Sequence, residues 1–143
     1  MKILVVGGGG REHALCRSLH RSPLVEEIFC APGNPGIAEV ADCIPVSPGD
    51  TVELADLAGK LHVDLTVVGP ELPLSLGIVD EFLKRGLPIF GPTRLATQIE
   101  SSKVFSKEFF RRHNIPTAEG VVCQTADEAK KAIQHFGFPV VML

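Results

Sequence analysis

Four consecutive glycines, Gly7 to Gly10, stand between the apolar run Ile3-Leu4-Val5-Val6 and the stretch Arg11-Glu12-His13-Ala14-Leu15. A short β-branched run reads as a buried strand, and an Ala/Leu-rich stretch with charges reads as a helix. The glycines therefore occupy a strand-to-helix turn. Without Cβ atoms, their backbone N–H groups are open to close approach by a ligand. The helix N-terminus adds unpaired N–H donors and a partial positive charge. The chemistry such a turn offers is anion binding, phosphate foremost. Arg11 in the first helical turn opposes the helix dipole, and is well placed if it faces a negative ligand.

Three further groups carry polar chemistry, two of them on stiff or glycine-containing loops. Glu71 in Gly69-Pro70-Glu71-Leu72-Pro73 follows an apolar run. Its carboxylate could accept hydrogen bonds from sugar hydroxyls or an amine, or it is simply a first-turn acid of a helix. Asn34 in Ala31-Pro32-Gly33-Asn34-Pro35-Gly36 can bond its own backbone and shape the turn, or reach a ligand. Lys103 after Ser101-Ser102 sits in a first helical turn, where a cation is out of place unless it meets an anion such as a nucleotide phosphate; the alternative is a solvated lysine. The five histidines form no metal-ligand spacing. No G-x-S-x-G occurs, and a nucleophilic mechanism has no support. The turn also departs from the dinucleotide fingerprint G-x-G-x-x-G, because Glu12 stands where the last glycine belongs. A tight turn for close helix–sheet packing is the plain structural alternative.

The elements that must position these residues alternate. Strands are expected at Lys2 to Val6, Glu27 to Cys30, Ile44 to Val46, Asp64 to Val68 and Leu87 to Phe90. Helices are expected at Arg11 to Arg21, from Asp50 or Thr51 to about Lys60, at Leu74 to Arg85, and from Thr93 to about Glu100. This order predicts an α/β fold, a Rossmann-like parallel sheet, with ligands bound beyond the C-terminal strand ends. The loops Gly7 to Gly10, Pro32 to Gly36, Gly69 to Glu71 and Gly91-Pro92 then converge on one sheet edge. After Glu100 the character changes: a helix from Ser102 to His113, a strand at Val121 to Cys123, a capping-box helix from Thr125 to about His135, and a last strand at Val140 to Leu143. The expected division is a domain at 1–100 and the start of a second at 101–143.

With 143 residues, 45% hydrophobic content and a net charge of -3, the chain can bury a core and has no bulk electrostatic case for nucleic-acid or membrane binding. Its longest apolar runs are too short to cross a bilayer. Four scattered cysteines without C-x-x-C, and no room for a signal peptide, make the expected setting the cytoplasm.

Val5-Val6-Gly7-Gly8-Gly9-Gly10-Arg11-Glu12-His13-Ala14, Ala31-Pro32-Gly33-Asn34-x-Gly36 and Val67-Val68-Gly69-Pro70-Glu71-x-Pro73-Leu74-x-x-Gly77-Ile78-Val79 resemble, in order, loops of the phosphoribosylamine–glycine ligase family, also called glycinamide ribonucleotide synthetases. Phe90-Gly91-Pro92-Thr93, then Gln98-x-Glu100-x-Ser102-Lys103-x-Phe105-x-Lys107 and Ile115-Pro116-Thr117, continue the resemblance. It implies an ATP-grasp enzyme of de novo purine synthesis that joins glycine to 5-phosphoribosylamine with ATP and Mg²⁺. Activation of the glycine carboxylate as an acyl phosphate and attack by the amine follow from it. It also implies a sugar-phosphate site near Gly9, Gly10, Arg11, Pro32, Gly33, Asn34 and Glu71, and a nucleotide-phosphate contact at Lys103.

The family continues past a strand like Pro139-Val140-Val141 with a lysine and a glycine-rich loop, where this sequence has Met142-Leu143. Pro35 replaces a small residue of the family's second loop. The expectation is an N-terminal portion that binds a sugar phosphate, carries neither catalytic residues nor the Mg²⁺ ligands, and is inactive alone. Association through the unfinished last strand is a further expectation. The alternative is a stand-alone nucleotide- or dinucleotide-binding module.

Overall fold

The computed structural model describes residues 1–142. Five strands and seven helices run in the order β1 (Lys2–Gly7), α1 (Gly10–His20), β2 (Glu27–Pro32), β3 (Asp42–Cys43), α2 (Thr51–Leu61), β4 (Leu65–Val68), α3 (Glu71–Ser75), α4 (Ile78–Lys84), β5 (Ile89–Phe90), α5 (Arg94–Ser101), α6 (Lys103–Arg112) and α7 (Ala126–Phe136), with a 3₁₀ turn at Ile37–Glu39. The chain divides into two compact units, Met1–Thr97 and the part from Gln98 onward.

In the first unit the strands form one parallel sheet in the order β3-β2-β1-β4-β5. This is the α/β architecture expected from the alternation of elements. Ile3 to Val6 of the central strand are all buried, because a parallel sheet is covered on both faces. Side chains alternate between two cores. Leu4, Val6, Phe29 and Ala31 meet Leu54, Ala55 and Ala58 of α2 and Ile78, Val79 and Phe82 of α4. Ile3, Val5, Ile28 and Cys30 meet Cys16 of α1 and Ile37. Strand order reverses at β1: the chain steps outward to β2 and β3, then returns to lay β4 on the other side of β1. In open parallel sheets such a switch point opens a crevice at the carboxyl ends.

Two local expectations are corrected within this unit, and one open alternative is resolved. The third strand lies at Asp42–Cys43, not Ile44 to Val46, because its ladder pairs Phe29 with Asp42 and Cys30 with Cys43. Asp50, rather than Thr51, caps α2, its Oδ1 accepting from the Glu53 N–H at 2.9 Å. The single helix expected over Leu74 to Arg85 is two. Gly77 takes φ +87° between them, a left-handed conformation that ends α3 and starts α4.

In the second unit Ser102 caps α6 by accepting from the Phe105 N–H at 3.2 Å. Lys107 Nζ donates to Thr117 Oγ1 at 3.0 Å and to the Ala118 carbonyl. Thr125 and Glu128 form the expected capping box at the start of α7, with Glu128 N–H to Thr125 Oγ1 at 3.2 Å and Thr125 N–H to Glu128 Oε2 at 3.3 Å. The expected strand at Val121 to Cys123 is not formed. Nor is one formed at Val140 to Met142, and Leu143 lies outside the described residues. The strand edge expected to mediate association is therefore absent from Val140 to Met142. No helix among the described residues is long and apolar enough to cross a membrane.

Candidate functional site

The loops that follow β1, β2 and β4 leave the same edge of the sheet and are tied to one another. Register places Gly7 beside Pro32 and Val6 beside Val68. The Gly33 N–H donates to the Gly7 carbonyl at 3.1 Å. Asn34 Nδ2 donates to the Gly8 carbonyl at 2.9 Å, and its Oδ1 accepts from the Ile37 N–H at 2.9 Å. One side chain thus shapes its own turn and clamps the first loop to the second. Arg11 Nη1 donates to the Gly69 carbonyl, which joins the start of α1 to the third loop. Glu71 opens α3 and is exposed.

Glu12 lies at the centre of this arrangement. It is 4% exposed, and its Oε2 accepts from the Gly9 N–H at 2.6 Å. That is the reach-back bond of an acid at the third helical position. Its side chain runs between the ends of β1 and β4: a Cβ placed on Gly7 would lie 2.7 Å from Glu12 Cγ, and one on Gly69 would lie 2.0 Å from Oε1. The sequence treats Glu12 only as a missing fingerprint glycine. Its wedge role was missed, although an acid three residues past a glycine cap was the available signal.

The structure brings together Gly9, Gly10, Arg11, Pro32, Gly33, Asn34 and Glu71 at one sheet edge of the first unit. Lys103 belongs to the second unit, at the first position of α6 after its Ser102 cap. It is exposed and enters no ion pair among the described residues. His13 packs against Gly36, and its Nε2 is buried without a hydrogen-bond partner. Beneath the loops Cys30 Sγ donates to the Gly7 carbonyl at 3.3 Å. A hydrogen bond with Cys16, then burial, holds the Cys30 thiol far above the ordinary thiol range. It stays protonated and supports the loop as a donor rather than serving as a nucleophile.

The arrangement offers helix N–H donors and a guanidinium for an anion, with an exposed carboxylate on the neighbouring loop for hydroxyl or amine donors. The clamp makes a direct test. Asn34→Ala removes both of its bonds and is expected to cost about 1–2 kcal/mol. Thermal melting reads the loss. An unchanged melting temperature would show that the two loops hold together without it.

Residues 1–100 match the family described as Phosphoribosylglycinamide synthetase, N domain. The chain is 47% identical over 142 residues to a phosphoribosylamine–glycine ligase of Caldanaerobacter subterraneus, covering 99% of this chain and 34% of that protein. It is 48% identical over 144 residues to the ligase of the same name from Escherichia coli O6:H1, covering 99% and 34%. It thus spans about a third of the length of the curated relatives it matches. Among solved structures, the phosphoribosylamine–glycine ligase of Thermotoga maritima superposes with a TM-score of 0.68 at 25% identity, covering 94% of this chain and 30% of that one. N5-carboxyaminoimidazole ribonucleotide synthetase from the same organism superposes at 0.70 with 21% identity, covering 96% and 37%, and shares the fold.

Proposed function

We infer the function from one premise: this chain belongs to the phosphoribosylglycinamide synthetase N-domain family. Residues 1–100 form the sugar-phosphate-binding part of an ATP-dependent ligase that joins glycine to 5-phosphoribosylamine, and 101–143 begin its ATP-grasp domain. The setting is cytoplasmic purine synthesis. The observation that carries this reading is the mutual clamping of three loops at one sheet edge: Asn34 to Gly8, Gly33 to Gly7, and Arg11 to Gly69.

In this reading the N–H groups at the start of α1 and the Arg11 guanidinium hold the phosphate. Pro32, Gly33 and Asn34 wall the sugar, and the Glu71 carboxylate accepts from a ribose hydroxyl or the amine. Holding the amine in place converts a bimolecular attack into a positioned one. ATP, when bound, supplies the phosphoryl group that activates the glycine carboxylate. Lys103, exposed at a helix start, fits a nucleotide phosphate as a point charge. Among the described residues no three His, Cys, Asp or Glu side chains are grouped to hold a metal ion, so no step at Mg²⁺ is assigned to them.

The experiment is calorimetry of the 143-residue chain with ribose 5-phosphate and with NAD, alongside an assay for glycine-dependent ATP hydrolysis. Weak ribose 5-phosphate binding, reduced about tenfold or more by Arg11→Met, and no ATP hydrolysis are expected. Tight NAD binding with no response to ribose 5-phosphate would replace this reading with a dinucleotide-binding module. Glycine-dependent ATP hydrolysis by these residues alone would overturn the claim that the catalytic groups lie elsewhere.

A further inference from the structure

The glycine turn after β1, at the switch point beside β4, has the place in the fold where doubly wound proteins seat a dinucleotide pyrophosphate. The structure assigns Glu12 the role of refusing that ligand. We propose that Glu12 is a specificity-determining residue, keeping pyrophosphate-bridged nucleotides out of the β1–β4 crevice while leaving the outer N–H groups of α1 open to a phosphate monoester.

Three observations carry this. First, the Gly9 N–H, a donor that a pyrophosphate oxygen would need, is already bonded to Glu12 Oε2 at 2.6 Å. A charge-assisted bond of that kind is among the stronger ones a backbone amide makes. Second, the Glu12 side chain fills the space a ligand would enter. Its Cγ or Cδ lies within 2.8 Å of a Cβ position on both Gly7 and Gly69, so the two strand ends have closed around the carboxylate. Third, Glu12 enters no ion pair among the described residues. Arg11 donates through Nη1 to the Gly69 carbonyl and forms no ion pair with Glu12. A buried carboxylate without an ion-pair partner repels a second anion that enters the same crevice, because little water screens the two charges there. Exclusion by an unpaired like charge and by occupied space is specificity through a repulsive element. The argument rests on the crevice geometry and not on which sugar phosphate the neighbouring loops take.

The test uses the full chain and two variants. Glu12→Gly completes a G-x-G-x-x-G spacing with Gly7 and Gly9. Glu12→Gln keeps the wedge shape and removes the charge. ADP-ribose is the pyrophosphate probe, and ribose 5-phosphate is titrated in parallel by calorimetry. The expected result is no measurable ADP-ribose binding by the parent, a gain of about tenfold or more for Glu12→Gly, and a smaller gain for Glu12→Gln. ADP-ribose binding by the parent, or two folded variants that gain nothing, would overturn the proposal. Should Glu12→Gly fail to fold by circular dichroism, Glu12→Gln decides: a gain supports the exclusion, and none overturns it. Failure of ribose 5-phosphate to bind any form would count against the sugar-phosphate reading alone, since the ADP-ribose titrations are scored separately.

Discussion

Gly69→Ala is expected to destabilise the first unit by about 2–3 kcal/mol, the upper part of the range for forcing an extra methyl into a packed site. The added Cβ would stand 2.0 Å from Glu12 Oε1, 2.6 Å from its Cδ and 2.7 Å from its Cγ. An ordinary long side chain would swing aside. Glu12 has no such freedom: Gly7 hems it on the opposite side, the Gly9 N–H holds its carboxylate, and it is 4% exposed. Moving it means separating the β1 and β4 loops and breaking the Arg11 bond to the Gly69 carbonyl. Urea denaturation measures the cost. Adding Glu12→Ala to the same chain removes the obstacle, so the double variant should lose clearly less than the two single losses combined, a coupling that distant sites do not show. A Gly69→Ala protein as stable as its parent would mean that the wedge is loose. The consequence for binding follows from the same geometry, since the loop that carries Glu71 is the one displaced.

Phe82→Ala should be the more damaging of the two, at about 3–5 kcal/mol. Phe82 is the largest fully buried side chain, at 0% exposure. It lies on α4 in the core that also holds Leu4, Val6, Leu54, Ala58, Ile78 and Val79. Removing the ring leaves a cavity in the core shared by β1, β2 and β4, the strands whose ends carry the site loops. A domain of ordinary stability has about 5–15 kcal/mol in total, so this one change approaches global unfolding. Phe82→Leu retains most of the volume and is expected to lose about 1.5 kcal/mol or less. The pair is read by the midpoint of urea denaturation. A Phe82→Ala loss below that of Phe82→Leu would place the ring outside the load-carrying part of the core.

Four strands of the parallel sheet were legible because they are short apolar runs closed by glycine or proline, a pattern that period and punctuation alone distinguish; β3, the exposed pair Asp42–Cys43, is not such a run and was misplaced. The α6 and α7 caps were legible too, since Ser102 and Thr125 act on neighbours three residues away. Local chemistry is readable when its partner is local. The failures are of another kind. Val121 and Val122 have strand-forming side chains, yet both are more than half exposed and unpaired. A strand is a property of a ladder, and propensity does not supply the neighbour. The break in the helix after α3 rested on one left-handed residue, Gly77, which an apolar helical period does not reveal.

For the site, residue types and spacing by themselves determined a glycine turn at a helix start, a carboxylate and an asparagine on stiff loops, and their convergence on one edge once the strands are parallel. Tertiary structure alone decided what those groups do to one another. It spent Asn34 on clamping Gly8, turned Arg11 to the Gly69 carbonyl, and drove Glu12 into the gap between β1 and β4. The physical reason is separation along the chain. Gly8 and Asn34 are 26 residues apart, and Arg11 and Gly69 are 58 apart. No local pattern encodes a distance that only the packing of the sheet closes.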